Sequence, residues 1–247
     1  MVVREIMAKS VLSKSKVYEY TINPYGGCQH GCSYCYARFM KKYSGHREAW
    51  GEYVDVKINA PEVLQREIKH KRPGGVWISG VCDPYQPLEK KYELTKRCLE
   101  ILIQNDWPVN IQTRSPLVLR DIELLNKSAK VEVGMTITTS DDSVRRLFEP
   151  NAPAIKERIR AVGELHSAGI KTFVMIAPLL PGAEGLATLL AGKVERVLVD
   201  RMNYNYADWV YRKYQLDESK SDAYFSKTGE GICSSLRQKG VDCQVLY

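Results

Sequence analysis

Three cysteines stand close together in a glycine-rich segment near the start of the chain: Cys28, Cys32 and Cys35, within Asn23-Pro24-Tyr25-Gly26-Gly27-Cys28-Gln29-His30-Gly31-Cys32-Ser33-Tyr34-Cys35-Tyr36-Ala37-Arg38. The spacing is C-x3-C-x2-C. Thiolates are soft ligands that suit zinc or an iron–sulfur cluster. Gly26, Gly27 and Gly31 let such a loop curl through positive φ and bring backbone amides toward a bulky anionic ligand. Three thiolates can hold three irons of a cubane and leave the fourth corner open, whereas an electron carrier closes every position with protein ligands. A structural zinc site remains a second reading, with His30 or a distant cysteine as the fourth ligand.

The remaining cysteines are Cys82, Cys98, Cys233 and Cys243. An odd total of seven, in a chain of 247 residues, argues against a disulfide framework and for metal binding or catalysis by the cluster. Cys98 shares an apolar helical face with Leu94, Ile101 and Leu102, so it reads as core. Cys233 and Cys243 read as structural or idle.

These side chains need a scaffold. Runs rich in β-branched residues occur at Val17–Ile22, Val76–Ser79, Pro108–Thr113, Val131–Thr138, Lys171–Ala177 and Arg196–Arg201, with a weaker one at Val241–Leu246. Helical stretches fall between them. Asn59-Ala60-Pro61-Glu62 reads as a capping-box start. Ile155, Ile159, Val162 and Leu165 share a face that ends before a C′ glycine, Gly169. A last helix is expected over about Lys227 to Lys239. Alternating strands and helices predict an α/β fold with a parallel sheet, either open and doubly wound or an incomplete barrel. The chemically suggestive residues follow the strands, so they are expected to meet at the sheet's carboxyl end.

Composition narrows the class. The chain is 44% hydrophobic and 26% charged, which excludes a disordered chain. The longest apolar stretch, Phe173 to Leu180, is far below the ~20 residues of a membrane span, so no membrane partner is expected. The first ten residues carry Arg4, Glu5 and Lys9 and no apolar core of a secretory signal, and the expected location is cytoplasmic. The net charge of +7 leans toward anionic partners, nucleic acid among them, and 15 of the 23 aromatics are tyrosines, which combine a stacking face with a polar tip.

The cysteine string, followed by DPYQPLEKKYELTKRCLEIL, TRSPLVLRDIELL and GMTITTSDDSVRRLFEPNAP, resembles the radical S-adenosylmethionine (SAM) superfamily and, within it, the spore photolyase-like group. The resemblance covers about residues 17 to 182. It implies a partial (β/α)6 TIM-like barrel with parallel strands, here one domain over 1–247 with its core about 17–203 and a short C-terminal helical extension over 204–247. It implies that Cys28, Cys32 and Cys35 hold a [4Fe–4S] cluster whose fourth iron binds SAM. An external one-electron reductant then drives SAM cleavage to a 5′-deoxyadenosyl radical, which abstracts hydrogen from a substrate.

By the same resemblance Tyr34 meets the SAM adenine or packs as a plain aromatic. Asp83 holds the SAM ammonium or initiates an Asx turn before Pro84. Arg114 forks onto the SAM carboxylate, and Thr136 or Thr138 offers a hydroxyl. Tyr36 and Cys82 lie where the spore photolyase group keeps catalytic residues, although Cys82 is offset from the expected position and reads equally as a bystander or packing thiol. The chemistry carries over more directly than the substrate, for which a nucleic-acid lesion or nucleotide is one candidate.

Overall fold

The computed structural model describes residues 1–247. Eleven strands form in two sheets: β1 (Val2–Ile6), β2 (Leu12–Lys14), β3 (Tyr20–Ile22), β4 (Tyr25–Gly26), β5 (Tyr53–Lys57), β6 (Val76–Ile78), β7 (Val109–Thr113), β8 (Val131–Thr136), β9 (Lys171–Ile176), β10 (Arg196–Val199) and β11 (Asp242–Val245). The larger sheet runs β11-β10-β9-β8-β7-β6-β3-β2. All its pairs are parallel except β2 with β3. Its two ends do not pair with each other, so the sheet is a partial barrel. The six expected strands are β3 and β6 to β10, and the weak seventh is β11. β6 and β8 to β11 stop one or two residues before their expected ends, where the run continues into the loops at the carboxyl end, while β3 and β7 end as expected and begin three and one residues later.

Near-continuous burial of Val109, Ile111, Val131, Val133, Met135, Val174 and Ile176 is what a parallel sheet covered on both faces requires. Gly134 marks the closest approach of two strands. A Cβ there would meet the Phe173 ring at 2.1 Å, so only glycine fits beside that ring. The predicted helical faces are present in the helices Leu94–Gln104 and Ile155–Ser167, where Cys98, Leu102, Val162 and Leu165 are buried. Gly169 has φ +80° after the second of these, as a C′ glycine should.

Four local expectations are corrected. Asn59 does not cap the helix Ala60–Glu67; its amide bonds the backbone of Ala8 in both directions instead, at 2.8 and 2.9 Å, tying the N-terminal segment down. Gly26 lies in β4 and needs no positive φ, while Gly27 and Gly31 do, at +94° and +61°. Cys233 and Cys243 form a disulfide. The helix Asp222–Gln238 turns back onto β11, which brings the two Cα atoms to 5.0 Å in one buried layer. The C-terminal extension is therefore helical only in part, since β11 returns to the main sheet.

A second sheet, β1-β5-β4, was not expected. It covers a small cluster of Tyr25, Val54, Val56 and Leu94. Its role is positional, because β4 leads straight into the cysteine loop. No helix is long and apolar enough to cross a membrane.

Candidate functional site

The loop from Asn23 to Arg38 follows β3 and is clamped from two sides. On one side, Gln86 accepts from the Gln29 N–H at 3.0 Å and donates to the Gly27 carbonyl at 3.3 Å, while Gln29 accepts from the Leu88 N–H at 2.7 Å. On the other, the Ser33 N–H donates to the Phe148 carbonyl at 2.8 Å, and Asn151 donates to the Gln29 carbonyl at 3.2 Å. The segments after β6 and after β8 thus act as jaws on the cysteine loop. Backbone fit is close as well: a Cβ on Gly27 would stand 2.4 Å from the Tyr53 carbonyl oxygen, and one on Gly51 only 2.8 Å from the Gly31 Cα.

Cys28, Cys32 and Cys35 are free thiols and line one cavity of about 400 Å³ at the carboxyl end of the sheet. Burial pushes Cys28 well above the ordinary thiol range and Cys32 up to about 12, and raises Cys35 as well. Such thiols are poor nucleophiles in isolation and become thiolates only when a cation takes the place of their protons.

No three Cys, His, Asp or Glu side chains converge on one point, as a single tetrahedral ion needs. The three cysteines instead line one cavity together, with room between them for a group larger than a single ion. The buried Trp50 indole N–H has no hydrogen-bond partner and stands near Cys35, where it favours the thiolate. A hydrogen bond to sulfur is one of the means by which proteins tune iron–sulfur clusters. Donor set, cavity and orphaned donor all fit a [4Fe–4S] cluster.

Tyr34, Tyr36, Cys82, Asp83 and Arg114 line the same cavity. The Arg114 guanidinium donates to the Tyr34 hydroxyl at 3.1 Å and to Glu149 at 3.3 Å. Tyr34 in turn donates to Glu149. Tyr36 is partly exposed and donates to the Gly80 carbonyl, which ties the cysteine loop to the turn after β6. That turn is strained: Ser79 holds φ +64°, a left-handed conformation that costs a non-glycine residue free energy. Cys82 is pushed up to about 12 by burial, with the Ser79 contact opposing.

Asp83 lines the cavity, and its carboxylate accepts hydrogen bonds from the chain itself. One carboxylate oxygen accepts from the Tyr85 N–H at 2.9 Å and the Thr113 hydroxyl at 2.6 Å. The other accepts from the Arg114 N–H at 2.8 Å and lies 3.3 Å from His30 Nε2. A carboxylate offers about four acceptor positions, and here the chain's own donors occupy three of them. Burial raises this carboxyl, but His30, Thr113 and Arg114 outweigh it and hold it at about 2. Asp83 forms the Asx turn and latches β6 to β7 and the cysteine loop.

Thr136 and Thr138 are buried behind the cavity wall. Thr136 accepts from Gln112 at 3.2 Å, and Gln112 lines the cavity in its place. Thr138 donates to Glu149 at 3.2 Å.

Glu149 is the residue that sequence reasoning missed. It is fully buried and gathers Tyr34, Arg114, Thr138 and Arg158 on its two oxygens. Burial alone raises its pKa, yet Arg158 and Arg114 bring it down to about 2. Arg158 was a readable signal, since it stands three residues after Ile155 and four before Val162 on an otherwise apolar helical face. A charge there needs a buried partner.

The structure is thus an α/β fold, a partial parallel barrel with a three-cysteine cavity at its strand ends. Residues 22–184 match the family model of the radical SAM superfamily, and the chain belongs to that superfamily. It is 38% identical over 179 residues to an uncharacterized protein of Methanocaldococcus jannaschii, covering 72% of this chain and 67% of that one. It is 31% identical over 189 residues to an uncharacterized protein of Mycobacterium tuberculosis, covering 72% of this chain but only 56% of that relative. Among solved structures, a spore photoproduct lyase mutant with a dinucleoside spore photoproduct superposes with a TM-score of 0.75 at 17% identity, covering all of this chain and 81% of that one. The fold is thus that of spore photoproduct lyase.

Proposed function

We propose that this protein is a radical SAM enzyme in which Cys28, Cys32 and Cys35 hold a [4Fe–4S] cluster and SAM occupies the cavity beyond it. The observation that carries this reading is the set of three free thiols, Cys28 and Cys32 buried and Cys35 partly so, around one cavity that Arg114 and Tyr34 also line. When bound, the cluster and SAM supply a reductively generated 5′-deoxyadenosyl radical for hydrogen abstraction from a substrate, with the electron coming from an external donor.

The chain's residues do the rest. Tyr34 offers a ring face to the adenine, and Arg114 offers a guanidinium to the SAM carboxylate. Both are already fixed by Glu149, so little ordering remains to be done on binding. Asp83, Thr136 and Thr138 position these groups and the cysteine loop. Tyr36 and Cys82 face the substrate side. A raised pKa keeps the Cys82 S–H protonated at neutral pH, the form that can give a hydrogen atom. The chain acts as one domain, with residue Tyr204 of its C-terminal part closing one wall.

The test is anaerobic loading with iron and sulfide, then dithionite and SAM. The expected product is 5′-deoxyadenosine, separated by chromatography. A fully loaded protein that leaves SAM intact overturns the reading.

A further inference from the structure

Beside the cavity runs a strip of four aromatic rings that no step above uses as a strip. Phe39 and Tyr36 come from the turn after the third cysteine, and Tyr204 and Tyr206 from the segment after β10. Successive ring centroids are 6.4 Å, 6.1 Å and 5.8 Å apart, with interplanar angles of 26°, 23° and 12°. The Arg38 guanidinium lies 4.9 Å from the Tyr206 centroid. Each ring is between 38% and 48% exposed, so the strip presents aromatic surface to water. Because Tyr36 and Tyr204 also line the cavity, the strip leads into it.

Charge points the same way. The segment from Tyr36 to Arg47 contains Arg38, Lys41, Lys42 and Arg47 and no carboxylate. None of these four cations is in an ion pair, although most other arginines of the chain are. The Arg38 Nε is buried without a hydrogen-bond partner. The complement of this surface is a partner that repeats a planar ring and a negative charge. An acidic peptide supplies the charge without a ring at every unit, and a duplex hides its ring faces by stacking. A single nucleic-acid strand supplies both.

We propose that Phe39, Tyr36, Tyr204 and Tyr206, with Arg38, form a stacking platform for the unpaired bases of a nucleic-acid strand, aligned so that one nucleotide reaches the cavity. The delivery to the cavity rests on the radical SAM reading; the binding does not. Equilibrium binding and SAM cleavage therefore fail separately.

The experiment is fluorescence anisotropy of the full chain with a labelled oligothymidylate of about ten nucleotides. The competitors are an unlabelled duplex and an acidic, tyrosine-containing peptide. Tyr206→Ala is expected to weaken binding about 5- to 100-fold, as loss of one stacked base does. Tyr206→Phe keeps the ring face and is expected to stay within about two-fold of wild type. Arg38→Ala is expected to make the slope of log K against log salt shallower by about 0.7. Circular dichroism confirms that each variant is folded. Failure of the wild type to bind the single strand at low salt overturns the platform. So does an unchanged affinity in Tyr206→Ala, or binding of the peptide or duplex as tight as that of the strand.

Discussion

Replacing Cys28, Cys32 or Cys35 singly with alanine is expected to remove the bound iron and to bring 5′-deoxyadenosine formation to background. The loss should exceed the ~10–100-fold that removing a mere outer partner of a metal ligand costs. In the proposed reading each thiol would hold one iron, and no neighbouring side chain is placed to substitute. His30 is the nearest alternative by sequence, but its Nε2 faces Asp83 at 3.3 Å. Cys82 lines the cavity from the far jaw, and its sulfur is directed to the Tyr25 carbonyl at 3.5 Å. Cys98 provides the control. It is free and buried, but it packs in the core and does not line the cavity. Cys98→Ala should therefore retain iron and activity and lose only a little stability. Iron and sulfide analysis after anaerobic loading, with product chromatography, reads both effects. A Cys32→Ala protein that carries a full cluster and cleaves SAM would contradict the assignment.

Glu149→Gln is expected to destabilise the fold by about 3–5 kcal/mol, because it leaves buried cations without their countercharge. Arg158 has no exposed side-chain surface and no other carboxylate within ion-pairing distance. Arg114 is 21% exposed and also loses its only carboxylate partner. For a chain of this length the corresponding fall in Tm is about 6–20 °C, measured by thermal unfolding at neutral pH. The isosteric amide keeps shape and volume, so the effect isolates the charge. The variant should also lose SAM affinity, since Tyr34 and Arg114 are both fixed by this carboxylate. A Tm within a degree or two of wild type would mean that Glu149 is not the charge that stabilises this wall.

The main sheet was legible because parallel strands buried on both faces are written as β-branched runs, and β3 and β6 to β10 all are. The cysteine loop was legible because soft ligands at short spacing in glycine-rich sequence have few other uses. What the sequence concealed depends on contacts between distant segments. β1 and β5 pair across some fifty residues, and no local pattern announces that partnership. Asn59 looked like a helix cap because its neighbours fit one, but Ala8 offered its amide a better partner. Asp83 carried one reading from the resemblance and one from its neighbour Pro84, and neither announces the Thr113 and Arg114 donors one strand away. Thr136 and Thr138 were legible as hydroxyls at one strand end, but their partners Gln112 and Glu149 lie on other segments. The Cys233–Cys243 disulfide depends on how a helix returns to a strand, which a cysteine count does not convey.

The central claim is that three protein sulfurs leave one iron of a cube open to SAM. Electron paramagnetic resonance of the dithionite-reduced, iron-loaded protein tests it most directly, with spectra taken before and after SAM is added. The account predicts a cluster signal whose line shape changes on SAM addition, because the amino acid end of SAM becomes a ligand of the open iron. A signal from a fully loaded protein that is unchanged by saturating SAM would contradict it.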